Sequence, residues 1–368
     1  MADFTEYLDW RGDLTFQAAP FNEIDDLLLS YLSYVNFDGI LPEDSETEMT
    51  IAEAGDLFFG MHTEEELKSN RSFIRLAPRV LRKMAASKRF ASFRLRNYVN
   101  HIDLEKEEQF SAVEIRCAQF TYISYRGTDD TIVGWKEDFN ISCQVTPAED
   151  EAVAFLNRLS DGLYLPVRLG GHSKGGHLAV YAASMCERSI QDHIISIGDF
   201  DGPGFQKEFL ESDGYRTIRD RIHRYIPETS IVGMLLEMDV EPVIISSTEN
   251  GPMQHDAFSW EVLGTHFVTA SELSMEGKLF DETLTAWLTD VDMADRKPYI
   301  DDLFSVLEAS GAETLTDLQK GGVKAITQML QQMARLNSST ARTTRKLLSL
   351  LFENWLNASD SQRFKLLE

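Results

Sequence analysis

The sequence predicts an α/β fold: a mainly parallel sheet with helices on both faces, plus helical N- and C-terminal additions. Three observations carry this. Between about residues 92 and 246, short runs rich in β-branched and aromatic residues alternate with helical segments. One short apolar strand passes through a glycine-rich turn bearing a serine into an Ala-rich helix. Both ends of the chain carry apolar residues at helical rather than strand spacing.

Residues 1–90 read as a helical N-terminal extension packed on the core. Asn22 is a candidate N-cap, and Asp25 and Asp26 in the first turn suit the helix dipole. Leu27, Leu28, Leu29, Tyr31, Leu32, Tyr34 and Val35 make a helix apolar nearly all round, hence buried. A second helix is expected over Ser72–Ser87. Its basic face of Arg75, Arg79, Arg82 and Lys83 reads as a solvated face paired with the protein's own carboxylates.

Residues 91–270 read as the α/β core. Strands are expected at Phe93–Ile102, Phe110–Arg116, Phe120–Tyr125, Val167–Gly170, Ile194–Ile197, Ile222–Ile226 and Val243–Ser246. Helices are expected at Ala148–Leu159 and His177–Met185, which implies βαβ units and parallel pairing. Residues 271–368 read as a helical C-terminal region, with apolar i, i+3, i+4 spacing over Thr316–Met333 and Thr340–Asn357.

Composition narrows the function. Hydrophobic residues make up 43% of the 368, enough for a sizeable core. Lys and Arg total 35 against 60 Asp and Glu, a net charge of −25. Such a field repels phosphate, which argues against nucleic acid and against loose docking on an anionic membrane. No stretch approaches the ~18 apolar residues of a membrane span, and the N-terminus does not read as a signal peptide. Cys117, Cys143 and Cys186 are too few and too scattered for a disulfide framework. A reduced, cytoplasmic protein is expected, with a homo-oligomer possible.

The strongest local signal is Gly171-His172-Ser173-Lys174-Gly175, a G-x-S-x-G with an additional Gly176. It lies between strand and helix, the context of a nucleophile elbow in an α/β-hydrolase fold. There a serine hydroxyl projects above the sheet from a sharp turn. The Lys174 N–H, at a helix N-terminus, can meet an oxyanion. The G-x-x-x-x-G-K-[ST] spacing of a P-loop is absent. Upstream, Tyr122-Ile-Ser-Tyr-Arg-Gly-Thr128 ends a strand, and Thr128 can supply the second oxyanion donor.

Arg126-Gly127-Thr128, Trp135, Asp138 and the Gly171–Gly176 elbow resemble the fungal-type class 3 lipases. A further resemblance is to a bacterial family of class 3 lipase-like α/β hydrolases, a domain of unknown function. It rests on Tyr7–Leu14, Phe21-Asn22, Asp201-Gly-Pro-Gly-Phe205, Ile226–Leu236 and Gln254–Trp260, and covers about residues 1–260. The resemblance implies hydrolase ancestry and says little about substrate.

A serine nucleophile needs a base and an orienting carboxylate, in the chain order Ser, acid, His. His255 is the first candidate base, because it follows the last expected strand and the Glu249–Pro252 turn; His266 is the runner-up. The acid stays open. The resemblance to lipases places an Asp where this chain has Ser230. Asp201, beside a Gly-Pro-Gly turn, is the first choice and Glu228 the alternative, with Asp199 behind them. Asp199 and Asp201 lack a third clustered ligand, so no metal is expected, and no cofactor.

Lys174 is unusual, since a cation at a helix N-terminus costs about 0.3–1 kcal/mol. Pairing with Glu137 or Asp138 would compensate, as would an anionic group of a substrate. The expected activity is cleavage of an acyl ester, small-molecule or lipid, by a serine hydrolase of carboxylesterase or lipase-like type. A protease or amidase would use the same machinery. The alternative is a non-catalytic hydrolase-fold binding or scaffold protein, which the missing lipase Asp favours.

Overall fold

The structure, a computed structural model, describes residues 3–43, 46–69, 73–103, 108–128, 132–141, 145–160, 165–275, 277–279, 293–312, 317 and 322–336. Eight strands form one sheet in chain order: β1 (Glu48–Thr50), β2 (Arg94–Asp103), β3 (Glu108–Arg116), β4 (Thr121–Tyr125), β5 (Val167–His172), β6 (Ile194–Phe200), β7 (Ile222–Pro227) and β8 (Val243–Ile245). From β4 to β8 every pairing is parallel, with helices in the crossovers from β4 to β7 and a 15-residue loop between β7 and β8. From β1 to β4 the pairings are antiparallel, which the sequence reading did not anticipate. For β2 to β4 the cause is connection length. Only Cys117–Phe120 separate β3 from β4, whereas a parallel crossover needs roughly a dozen residues.

Alternation along the strands builds two cores. On β3, Val113 and Ile115 join one apolar cluster, and Phe110 and Ala112 join the other. The first face is covered by α2 (Glu23–Tyr31) and α5 (Ala77–Ala86), with α1 (Tyr7–Arg11), α3 (Ile51–Met61) and α4 (Glu64–Ser69) in the same N-terminal stretch. The opposite face is covered by α7 (Pro147–Asn157) and α8 (Lys174–Met185). A shorter helix, α6 (Ile132–Asn140), follows β4. The helix Met293–Glu308 lays Ile300, Leu303, Phe304 and Leu307 against Ile132 and Phe139 of α6 and against Ile231 and Leu235. The helix expected at Ser72–Ser87 starts later, at Ala77, with Pro78 in its first turn. The stretch Thr340–Asn357 lies outside the described residues.

The helix α2 is buried from Ile24 to Tyr31 and is capped by Asn22. The Asn22 side chain accepts from the N–H of Ile24 at 3.0 Å, and Asp25 accepts back from the N–H of Asn22 at 3.0 Å. This helix carries two carboxylates into the core. Asp25 meets Arg89, and both side chains are fully buried. Arg89 also donates to the carbonyls of Leu14, Ala19 and Pro20, so all five of its N–H groups are used. Asp26 accepts from the Tyr122 hydroxyl at 2.5 Å and lies over Gly198, where a Cβ would come 2.8 Å from its Oδ2. The basic face of α5 pairs as the sequence suggested: Arg79 with Asp3 at 2.9 Å, Lys83 with Asp9 at 2.6 Å, and Arg82 with Glu64.

Arg89→Leu leaves Asp25 buried without its counterion, and unfolding in urea should show a loss of about 3–5 kcal/mol. A loss below 1 kcal/mol would mean the pair holds nothing. Burial pushes the Asp26 carboxyl up to about 7, against the opposing Tyr122 hydrogen bond and Arg168. The folded state then keeps a proton that the unfolded chain has released, so this group's contribution falls as pH rises from about 4 to about 7. The stability of the wild type relative to Asp26→Asn should therefore decline across that window and level off above it. A difference constant from pH 4 to 8 would contradict this.

Candidate active site

Ser173 is the single residue between β5 and α8, with φ +60° and ψ −136°. A non-glycine residue there is strained by about 1–3 kcal/mol, so its surroundings must hold it. Its N–H donates to the Phe200 carbonyl at 2.9 Å, and its carbonyl accepts from Gly176 N–H at 2.9 Å. The glycines of the motif are packing requirements. A Cβ on Gly175 would overlap the carbonyl oxygen of Tyr125, and one on Gly171 would overlap the backbone of Gly175. The helix thus enters against the ends of β4 and β5 with no room for a methyl group.

Three residues far apart in the chain meet at this turn. His255 ends a short 3-10 turn, Gly251–His255. Its Nε2 lies 2.9 Å from Ser173 Oγ, and its Nδ1 lies 2.6 Å from Asp201 Oδ2. Asp201 is fully buried and sits just beyond β6 at φ +58°, its N–H donating to the Tyr225 carbonyl at 2.8 Å. The other carboxylate oxygen, Oδ1, accepts from the hydroxyl of Ser230.

This geometry stands beside what comparison with known proteins finds. Residues 84–305, more than half of the chain, match the model of the Mbeg1-like family. The chain belongs to the Mbeg1-like family. Among solved structures, one titled "Crystal structure of M37 lipase" is similar, with a TM-score of 0.36 and 17% identity over 56% of this chain and 68% of that one. A comparison with curated proteins finds no match. The fold itself, a mostly parallel sheet with a strand–serine–helix elbow, is the α/β-hydrolase fold.

In this Mbeg1-like chain the other candidate carboxylates and histidines make different contacts. Glu228 follows β7, where its backbone pairs with Ile245 and Ser274. Asp199 holds the turn below Asp201, its Oδ1 accepting from Gly202 N–H at 3.0 Å, with Arg224 Nε 3.7 Å from Oδ2. Burial pushes Asp199 up to about 7, although Arg224 pulls the other way. His177 is enclosed between Glu149 and the Pro203–Gly204 carbonyls. His266 is exposed at a hairpin, 3.6 Å from Glu23. Asp256 accepts from Phe258 N–H at 3.1 Å.

The His255 turn is pinned from both sides. Gln254 Oε1 accepts from Thr229 N–H at 2.6 Å, and the Gln254 carbonyl accepts from the Trp260 indole at 2.8 Å. His172, the variable residue of the elbow motif, donates from Nε2 to the His255 carbonyl at 2.7 Å. The sequence reading missed Tyr34 as a neighbour of the site, and named Gln254 and Trp260 only within the stretch that carries the resemblance. Ser230 did carry a signal, as the residue where the lipases have Asp.

On the oxyanion side, a Cβ on Gly127 would come 3.0 Å from Ser173 Cβ, so the Arg126–Thr128 loop abuts the serine. Lys174 opens α8 and is fully buried, and its ammonium donates to the Gln109 carbonyl at 2.9 Å. The side chains of Trp135, Glu137 and Asp138 lie outside the described residues, as do Asp129 and Asp130. Cys117 and Cys186 are free thiols, and Cys143 is outside the described residues. Among the described residues no helix is long and apolar enough to cross a membrane.

Gly175→Ala should destabilise by about 1–3 kcal/mol or more, because the added carbon meets backbone that cannot move aside. Gly60→Ala is the control, an exposed helical site with nothing within 4 Å of the new carbon. There a gain of about 0.4–1 kcal/mol is expected. Equal effects at both sites in thermal melts would refute the packing account of the elbow.

Proposed function

We propose that this protein is a serine hydrolase that cleaves an acyl ester through Ser173, His255 and Asp201. The observation that carries the reading is the continuous chain of two hydrogen bonds, Ser173 Oγ to His255 Nε2 at 2.9 Å and His255 Nδ1 to Asp201 Oδ2 at 2.6 Å. In this reading His255 takes the Ser173 proton as Oγ attacks the ester carbonyl. Asp201 holds the imidazole with Nδ1–H toward itself, leaving Nε2 free to accept, and stabilises the imidazolium that forms. The N–H groups of Lys174 and Thr128 receive the oxyanion, the first from the N-terminus of α8. His255 then protonates the leaving alkoxide, and a water deprotonated by His255 releases the acid from the acyl-enzyme.

Ser230 supports the choice of acid. A lipase Asp at that position would have made Asp201 redundant. With serine there, its hydroxyl donates to the oxygen of Asp201 that His255 does not use. The feature that favoured a non-catalytic protein thereby acquires a role beside the triad.

Ser173→Ala should abolish both fluorophosphonate labelling and turnover of p-nitrophenyl esters while leaving the melting temperature near that of the wild type. A wild-type protein that resists labelling in its native state would favour a binding or scaffold role. Asp201→Asn should lower kcat by about 10⁴, and Glu228→Gln should leave it near wild type. The reverse pattern would transfer the acid to Glu228.

A further inference from the structure

The Tyr34 hydroxyl lies where three loops of the site converge. It is 3.0 Å from His172 Nδ1 and 3.2 Å from the His172 carbonyl oxygen. It also occupies the space a Cβ on Gly127 would need, so it rests against the loop that carries Thr128. From the far side of the same ring, His172 Nε2 reaches the His255 carbonyl at 2.7 Å. The two imidazoles lie 4.7 Å apart at 33°, and Tyr31 and Trp260 close around His172. His172 and Tyr34 are both buried.

The protons follow from the acceptors. A carbonyl only accepts, so His172 Nε2 carries the hydrogen toward His255. Burial holds the His172 pKa well below the usual histidine value, and the nearby His255 adds to this, so the ring is neutral and Nδ1 is bare. The Tyr34 O–H therefore donates, shared between Nδ1 and the His172 carbonyl oxygen. The His255 carbonyl thus selects the tautomer of His172, and the bare Nδ1 is met by a residue 138 positions away, on a segment outside the family match.

We propose that Tyr34 and His172 are positioning residues that hold the His255 turn, the serine elbow and the Thr128 loop in one register. The proposal rests on the serine-hydrolase reading for its catalytic consequence. The relay itself is a structural device: the His255 carbonyl takes the His172 Nε2–H, the bare Nδ1 takes the Tyr34 O–H, and the two bonds tie the three segments together. Packing alone would not need the Tyr34 hydroxyl or the direction of the His172 N–H.

Three variants test this. Tyr34→Phe removes only the hydroxyl. His172→Leu keeps bulk and loses the donor, and His172→Gln restores an N–H that can reach the His255 carbonyl. In folded protein, His172→Leu should slow fluorophosphonate labelling and lower kcat by about ten- to a hundredfold with KM nearly unchanged, since small misplacements have costs of that order. Tyr34→Phe should show a smaller loss of the same kind, and His172→Gln should recover most of the rate.

A second readout does not depend on turnover. The low-field proton resonance of His255 Nδ1–H, shared with Asp201, should broaden in Tyr34→Phe and His172→Leu and sharpen again in His172→Gln. Unchanged spectra and wild-type labelling in Tyr34→Phe and His172→Leu would overturn the proposal, as would a His172→Gln no better than His172→Leu in both measurements. Absent labelling in the wild type, with resonances that still respond as described, would sink the hydrolase reading and leave the relay standing.

Discussion

The molecule is organised around one strained residue. Ser173 is held at φ +60° because β5 and α8 are forced together within a single residue, and that distance is possible only with glycine at 171 and 175. The close approach sets the position of everything else near it. It brings the first N–H groups of α8 up to the ends of β4 and β5, and it lets the Gly127 loop lie against the serine. The strain, about 1–3 kcal/mol, is small beside the parallel strands and the buried α8 that impose it.

The acid side uses a second left-handed residue. Asp201 at φ +58° turns the chain directly after β6, so its carboxylate points at His255 rather than continuing along the sheet. A carboxylate buried this fully needs its lone pairs used. His255 and Ser230 each take one of its oxygens, with Asp199 and Arg224 beneath the turn. A carboxylate at the end of β6 and a hydroxyl at position 230 share one small volume. With serine at position 230, Ser173, His255 and Asp201 still form a connected chain of hydrogen bonds.

The N-terminal residues are part of the same construction. β1 joins the edge of the sheet, and α2 lies buried over β5 and β6, so the first ninety residues supply one layer of the hydrophobic core. The layer is polar where it is deepest, with Asp25 matched to Arg89 and Asp26 to Tyr122. Such pairs add little net stability over apolar side chains, but they admit few alternative packings. The residue that follows them, Tyr34, then arrives at the elbow with its hydroxyl already placed.

Much of this was legible in the sequence, for local reasons. The elbow is a short motif whose glycines are needed within five residues of the serine, so spacing alone exposed Ser173 and its helix. Alternating and helical periodicities located most strands and the main helices around the elbow to within a few residues, because burial of one face repeats along each element. The capped start of α2 was visible in Asn22, Asp25 and Asp26 for the same reason.

What the sequence left open were matters of distance across the fold. His255 against His266, and Asp201 against Glu228, are separated by geometry: one histidine turns inward beside the serine, and the other sits on an exposed hairpin. That β2 to β4 run antiparallel follows from their short connections, and periodicity is blind to strand direction. The contacts of the neutral His172 and of Tyr34, and the partner of the Ser230 hydroxyl, were invisible because only folding brings those groups near one another. Sequence fixed the chemistry available at each position, and tertiary structure decided which groups could share a hydrogen.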